Sequence, residues 1–267
     1  MMDAGSAAVD IKACCAATYE SPLVQLLLGG RLHPGGDDLT RRLADLTGIG
    51  PGDRVLDVAS GLGTTARLLA VERGATVRGV DLSPGLVAGA RRGAVDAGLG
   101  DRVDFEVQDA EELDLPAGSV EVVVCECALC TFPNQKAAVA GFKRVLRSGG
   151  RVGIADVTLD RDGLPPELDT PVGRIACIAG ALPTSGYEAL LRDAGFSDVA
   201  VEPHPDAALA TVDALRAVVE SAREWLLGLF DVERALRLID LARGAVCDGV
   251  IGYGLITARV DGAARGT

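Results

Sequence analysis

The chain reads as an α/β protein with a mostly parallel sheet and helices on both faces, and three observations carry that reading. From about residue 53, short β-branched runs alternate with amphipathic helical stretches. The first three of these runs each end in an acid or a glycine-rich turn. The apolar fraction, 48%, and the charged fraction, 24%, are those of an ordinary globular chain. Strands spaced by helices pair in parallel, because each return to the same end of the sheet needs a crossover.

Taken in order, RVLDVAS (54–60) reads as a buried strand followed by a helix over roughly 63–73. TVRGVDLS (76–83) is a second strand with a helix over about 84–97, and RVDFEVQDA (102–110) is a third. SVEVVVCE (119–126) is a fourth, followed by a helix over about 135–146, and GGRVGIADVTL (149–159) is a fifth. Residues 160–173 are rich in Pro, Gly and acid and read as a loop or lid. A helix over about 184–195 leads into FSDVAVEP, a sixth strand. Residues 207–245 carry apolar side chains at three and four spacings and predict two helices, and GVIGYGLITARV (249–260) alternates like a closing seventh strand. Before the core come a short helical stretch (SPLVQLLLG), a turn-rich LHPGGDD and an amphipathic helix, LTRRLADLTG. The expectation is a Rossmann-like, seven-stranded, mostly parallel core over 51–206 and 249–262. An N-terminal substrate-covering segment (1–50) and a helical insertion before the last strand (207–248) complete it.

Composition narrows the partners. The formal charge is −12, and the basic residues are 23 Arg and 3 Lys, scattered along the chain. No nucleic-acid partner is expected, since phosphate binding wants clustered Lys and Arg. No uncharged apolar run reaches the roughly 18–20 residues a membrane span needs, so no membrane partner is expected. The start lacks a basic region followed by an apolar one, as a secretion signal would have. Seven cysteines, an odd number, predict reduced thiols and a cytoplasmic location.

The first strand ends in Asp57-Val-Ala-Ser-Gly61-Leu-Gly63, a turn that lets a ligand approach backbone N–H groups at a helix start. Asp81 ends the second strand, 24 residues after Asp57, where an acid can accept hydrogen bonds from both ribose hydroxyls. Asp109-Ala110 ends the third, suited to the edge of an adenine. Gly61-Leu-Gly63-Thr-Thr-Ala66 is formally compatible with a dinucleotide fingerprint, but the acids fit a compact nucleoside better than a pyrophosphate.

On these residues the chain resembles the class I S-adenosylmethionine-dependent methyltransferases, over about residues 50–200 and again at 249–260. DVASGLG looks like their first motif, with Ala59 where Gly is commoner; VDLS carries the second acid and QDAEEL the third. The resemblance implies S-adenosylmethionine as cofactor. Asp57, Ser60, Gly61 and Gly63 would shape the pocket for the methionine part, Asp81 with Leu82 the ribose site, and Asp109 with Ala110 the adenine site. Cys125, just past the fourth strand, lies beside the expected cofactor edge, where packing and cofactor contact are both open.

Cys127 falls beyond the carboxyl end of the fourth strand, where open α/β sheets bind ligands. Cys177 follows the fifth strand in a segment able to fold back over the same mouth, and Cys14 and Cys15 precede the core. Three segments thus offer thiols to one cleft, and thiolates select soft centres. VVVCECALCTFP, with Cys127 six residues before Pro133, resembles the matching stretch of the arsenite methyltransferases. ACIAGAL (176–182) and KACC (12–15) resemble two further cysteine segments of that family. The narrower resemblance implies a trivalent arsenic substrate held by Cys127, Cys177 and either Cys14 or Cys15, with a thiol reductant as partner. Two features depart from it: Gly29 and Gly30 stand where the family usually has another Cys, and the helices at 207–245 replace its long C-terminal region.

Two other readings stand beside it. One is an organic or other soft acceptor, such as a natural-product hydroxyl, a thiol, selenium or tellurium. For a natural product it predicts a larger apolar pocket roofed by the helices at 207–245 and cysteines too far apart to share an atom. Trp225 and Phe230 are then pocket candidates, with core packing as their ordinary role. The other is a zinc module built on Cys125-x-Cys127-x-x-Cys130 and a distant Cys. Cys130 and Cys247 read as small hydrophobes, and His33 and His204 as structural or solvated.

Overall fold

A computed structural model describes residues 4–21, 24–25, 33–226, 228 and 231–262. Two helices, α1 (Ala4–Glu20) and α2 (Gly36–Thr47), precede the sheet. Then come β1 (Arg54–Val58), α3 (Thr64–Arg73), β2 (Thr76–Asp81), α4 (Pro84–Asp96), β3 (Val103–Val107), β4 (Val120–Glu126), α5 (Gln135–Val145) and β5 (Leu146–Leu159). The second half adds α6 (Pro171–Ile175), α7 (Thr184–Asp193), β6 (Ser197–Pro203), α8 (Pro205–Ser221), α9 (Arg223–Leu226), α10 (Val232–Cys247) and β7 (Ile251–Arg259).

The seven strands form one sheet in the order β3-β2-β1-β4-β5-β7-β6. Pairs from β3 to β5 are parallel, and β7 runs antiparallel to both neighbours. Both faces are covered, so the central strands carry continuous apolar runs rather than alternation. Val55, Val122 and Val124 pack with Phe105 on one face, while Leu56, Val58, Val123 and Ile154 pack with Phe142 on the other. The chain winds outward in opposite directions from β1 and β4. Their carboxyl ends therefore open a crevice at a topological switch point, the usual ligand site of such sheets.

Helix α1 lies outside the elements read from sequence. Its residues, AGSAAVDIKACCAATYE, are mostly good helix formers but show no apolar stripe to signal a buried face. Where two helices were expected at 207–245, the chain forms α8 and α10 with the single turn α9 between them. These three pack on a small cluster of their own around Val219, Leu226, Val232 and Leu236. Trp225 is 65% exposed, neither core nor cavity lining. Phe230, Gly29, Gly30 and most of SPLVQLLLG lie outside the described residues. Among the described residues, no helix is long and apolar enough to cross a membrane.

Candidate active site

The crevice is built first from acids. Asp57, at the end of β1, is 2% exposed, and neither its Oδ2 nor the Ser60 Oγ has a hydrogen-bond partner among the described residues. The chain then turns through Ala59 (φ 57°), Gly61 and Gly63 before α3 begins. The left-handed backbone at Ala59 costs roughly 1–2 kcal/mol with a Cβ, which is why glycine is common there. Gly63 is needed twice over: its φ is +71°, and a Cβ there would run into the Phe105 ring. Asp81 accepts the Gly61 N–H and the Ser83 N–H, each at 2.9 Å, so one carboxylate ties the first turn to the second. Asp109 lies at the end of β3, its Oδ1 accepting the Glu111 N–H. Glu126, at the end of β4, accepts hydroxyl hydrogen bonds from Thr40 and Thr65 and lies 3.9 Å from the His33 ring.

Three strands thus bring an acid to one cavity, about 850 Å3 with its open mouth, lined by Gly61, Asp81, Leu82, Asp109, Ala110 and Glu126 among others. Asp57 and Ser60 line a recess that shares Ala59, Gly61 and Glu126 with it. Burial raises the Asp57 and Asp81 pKa values, and Asp57 is pushed further by Glu126 and Asp81 nearby. Orphaned acceptors among clustered acids suit a ligand that brings positive charge and hydrogen-bond donors. S-adenosylmethionine meets that description, with an ammonium, a sulfonium and two ribose hydroxyls.

Helix α1 covers the mouth. Lys12 Nζ reaches Asp109 at 2.7 Å and Glu111 at 2.6 Å, and Ser83 Oγ donates to Glu20 at 3.1 Å. The Tyr19 hydroxyl donates to the Ile175 carbonyl at 2.8 Å, joining α1 to α6.

The thiols come next. After β4 the chain turns at Cys127 (φ 51°), whose N–H donates to the Ala155 carbonyl on β5. The Cys130 N–H donates to the fully buried Asp156 carboxylate at 2.8 Å. The segment after β5 folds back through α6 to Cys177, also left-handed at φ 63°. Gly180 allows the close approach, because a Cβ there would run into the Cys130 carbonyl oxygen. Arg174 and Gln135 fasten the two segments together through the Phe132 and Gly180 carbonyls. The Cys177 thiol consequently lies 3.2 Å from the Cys127 carbonyl oxygen, to which it donates, and 3.8 Å from the Tyr19 hydroxyl.

The Cys177 side chain is within hydrogen-bonding reach of those of Cys127 and Cys130. Cys127 is held protonated first by its hydrogen bond to Cys177 and then by burial; for Cys130 burial leads. Hydrogen bonds from Cys127 and then Cys130 lead in pulling the Cys177 pKa down. The Cys127 carbonyl opposes that by facing the Cys177 sulfur with its lone pairs. Burial, with Cys177 nearby, raises Asp156 to about 7.

Several expectations are corrected here. Cys14 is exposed and does not line the strand-end cavity, whereas its neighbour Cys15 does; adjacent helical residues point about 100° apart, so only one faces inward. Burial and then Cys177 raise the Cys15 pKa to about 11. Cys125 is fully buried on the opposite face of the sheet from Cys127, Cys130 and Cys177, away from the cavity. That split also removes the Cys125-x-Cys127-x-x-Cys130 zinc arrangement. Among the described residues, no three His, Cys, Asp or Glu side chains are placed to hold a metal ion, so Cys127, Cys177 and Cys15 do not close into a three-donor set.

A second cavity, about 1550 Å3 with its mouth, lies on the other side of Cys127. It is roofed by α8 and α10 and lined chiefly by apolar side chains, among them Leu168, Ile178, Val212, Leu238 and Ile239. Cys127 and Tyr19 stand on the wall common to both cavities, and Cys177 lines the second.

Glu126, Tyr19, Lys12 and Asp156 were not singled out from sequence as site residues, and Cys130 only as a small hydrophobe or a zinc ligand. Glu126 carried a usable signal, since it ends the fourth strand as the other acids end the first three.

Switch-point crevice and clustered acids together define an open α/β protein built to hold a cationic nucleoside. The methyltransferase domain family matches residues 56–154. The 27-O-demethylrifamycin SV methyltransferase of Amycolatopsis mediterranei is 31% identical over 262 residues, 89% of this chain and 92% of that one. The chain belongs to the S-adenosylmethionine-dependent methyltransferases, and S-adenosylmethionine is its cofactor. An arsenite methyltransferase of Halobacterium salinarum is 34% identical over 158 residues, 58% of this chain and 40% of that one. Phosphoethanolamine N-methyltransferase 2 of Haemonchus contortus, solved with S-adenosylmethionine, shares the fold at a TM-score of 0.80 and 21% identity, covering 94% of this chain and 60% of that one.

Proposed function

We propose that the protein transfers a methyl group to a thiol-bound trivalent arsenic species gripped by Cys127 and Cys177. The carrying observation is their meeting: fifty residues apart in sequence, they lie with the Cys177 sulfur 3.2 Å from the Cys127 carbonyl, beside the cofactor cavity. Both residues hold left-handed backbone, a conformation that costs a non-glycine residue of order 1–3 kcal/mol and clusters at functional sites. The partial likeness to the arsenite methyltransferase supports the same reading.

Asp57, Asp81, Asp109 and Glu126 would hold the cofactor, which when bound supplies an electrophilic methyl group on a sulfonium. Cys127 and Cys177 would orient the arsenic lone pair, and no general base is needed because that lone pair carries no proton. The thiols shed protons as arsenic binds, and Asp156, buried beside Cys130, titrates near neutrality and shares their electrostatics. Holding two reactants in line and dry is worth up to about 7–11 kcal/mol. With labelled S-adenosylmethionine, a thiol and either arsenite or methylarsenite, the purified protein should yield methylated arsenic. Cys127→Ser and Cys177→Ser should each lose that activity while keeping cofactor affinity; activity surviving both changes would sink the reading.

A second reading, an apolar organic acceptor methylated on oxygen, is favoured by the large apolar cavity and by the rifamycin relative. It expects the label in a methyl ether, with the hydroxyl proton released, and indifference to both serine substitutions.

A further inference from the structure

An arsenic lone pair carries no proton, so the thiol pair leaves one device of the site unused: a histidine backed by a carboxylate, standing where the second cavity meets the recess of Asp57 and Ser60. We infer that His33 takes the proton of an acceptor hydroxyl, and that the molecule bearing it is an uncharged, mostly apolar phenol or enol lodged beneath α8 and α10. The inference rests on the oxygen-acceptor reading above and extends it to a base and a substrate class.

His33 lines both spaces. Its side chain is 9% exposed, and that of Glu126 4%. Nδ1 lies 3.3 Å from the Pro34 carbonyl oxygen. A carbonyl can only accept, so the proton of the neutral ring sits on Nδ1 and the lone pair on Nε2. Glu126 Oε2 stands 3.9 Å from Nε2. That is too long for a hydrogen bond, so the lone pair stays open, yet close enough to face a cation formed there. Hydrogen bonds from Thr40 and Thr65 fix the Glu126 carboxylate, and Asp57 from β1 adds a second acid to the recess.

The other titratable groups of the second cavity are spent. The Tyr19 hydroxyl donates to the Ile175 carbonyl and the Cys177 thiol to the Cys127 carbonyl. Cys127 is held protonated by its hydrogen bond to Cys177 and by burial, and Glu167 is exposed. His204 pairs with Glu202 on β6 and lines neither space. Among the described residues no Lys or Arg lines this cavity, so a carboxylate or phosphate on the acceptor would be buried unpaired. A phenol, with a pKa of about 10 beside about 6.5 for a histidine, yields its proton to the ring far more readily than an alkanol does.

The atoms balance without an added reactant. The O–H bond breaks and its proton goes to Nε2. An oxygen pair forms the O–CH3 bond as the sulfonium's S–CH3 bond breaks, and the electrons of that bond stay on the departing thioether. The proton then passes from Nε2 to water, leaving a methyl ether.

Three naphthols are the probes. With labelled S-adenosylmethionine, 1-naphthol should yield its labelled methyl ether, and 5-hydroxy-1-naphthoate should be turned over at least about tenfold less well, since it adds an unpaired charge. His33→Ala should cut kcat/KM for 1-naphthol at least about 100-fold. The same change should cost 4-nitro-1-naphthol, already ionised at neutral pH, less than about tenfold, because no proton remains to be taken. Added imidazole should raise the 1-naphthol rate of His33→Ala at least about tenfold, a rescue that a merely structural loss would not show. His33→Gln repeats the comparison of 1-naphthol with its nitro derivative if the alanine variant fails to fold. Equal losses with those two compounds, or no response to imidazole, would overturn the base while leaving an oxygen acceptor in place. Equal or better turnover of the naphthoate would overturn the uncharged substrate class. Methyl ether from none of the three would overturn the oxygen reading and this inference together.

Discussion

The two cavities that meet at Cys127 and Tyr19 are made from opposite materials. One side is walled by strand-end acids and backbone N–H groups, the expected cofactor site, and the far side by aliphatic side chains with sulfur at the seam. A charged nucleoside is recognised by directional hydrogen bonds, which need few atoms placed well. An apolar acceptor is recognised by area, which needs many atoms placed loosely. The first wall comes chiefly from the strand ends of the sheet. The second comes from α6, α8 and α10, which pack on its rim.

The contrast can be tested by breaking each side alone. Cys127→Ser or Cys177→Ser should lower arsenic methylation by at least about 1000-fold, roughly 4 kcal/mol, with cofactor affinity within about threefold of wild type; parallel loss of both would mean the sides are not separable. Asp81→Ala should do the reverse. It removes the acceptor of two backbone hydrogen bonds and the expected ribose site, at about 3 kcal/mol, so the cofactor Kd measured by calorimetry should rise about 100-fold.

Stability against pH sharpens the comparison further. Burial lifts Asp156 to about 7 from an ordinary 3.8, so the folded state binds this proton more tightly than the unfolded chain does. Its contribution is full below about pH 4 and is lost as pH rises through 7. Between about pH 5.5 and 7 the protein without cofactor should lose about 2 kcal/mol through this group, read as a falling Tm. Asp156→Asn should flatten the slope, leaving only the share of Asp57 and Asp81, which are raised in the same direction. The smallest effect concerns Tyr253, whose buried hydroxyl has no partner among the described residues. Tyr253→Phe should hold or raise stability by up to about 1 kcal/mol, and a clear drop in Tm would reveal an unseen partner.

Much of the cofactor side was legible because strand-final acids and glycine turns are local signals. Asp57, Asp81 and Asp109 each close a β-branched run, and the sheet carries them to one edge. Glu126 closes its run in the same way but sits inside Cys-Glu-Cys, where the flanking cysteines mask the pattern. The meeting of Cys127 and Cys177 was implied by resemblance; its physical cause is Gly180, whose missing side chain admits the Cys130 carbonyl, and no spacing rule reveals that. Which of Cys14 and Cys15 faces inward depends on the rotation of α1 about its axis, set by Lys12, Tyr19 and Glu20 gripping distant partners. The apolar cavity was readable only as helix faces: residues such as Val212 and Ile239 announce burial, but not that the space between them stays open.

The fastening of α1 has a kinetic consequence. Its bolts on the nucleoside side are ionic or polar, Lys12 to Asp109 and Glu111, and Glu20 to Ser83, and the lysine ones sit close to the surface. A kosmotropic salt such as sulfate weakens such bolts, whereas it tightens hydrocarbon contacts. Added sulfate should therefore hasten the coming and going of the nucleoside and slow the escape of an oily product, so one gate of this molecule is sprung by electrolyte and the other is jammed by it.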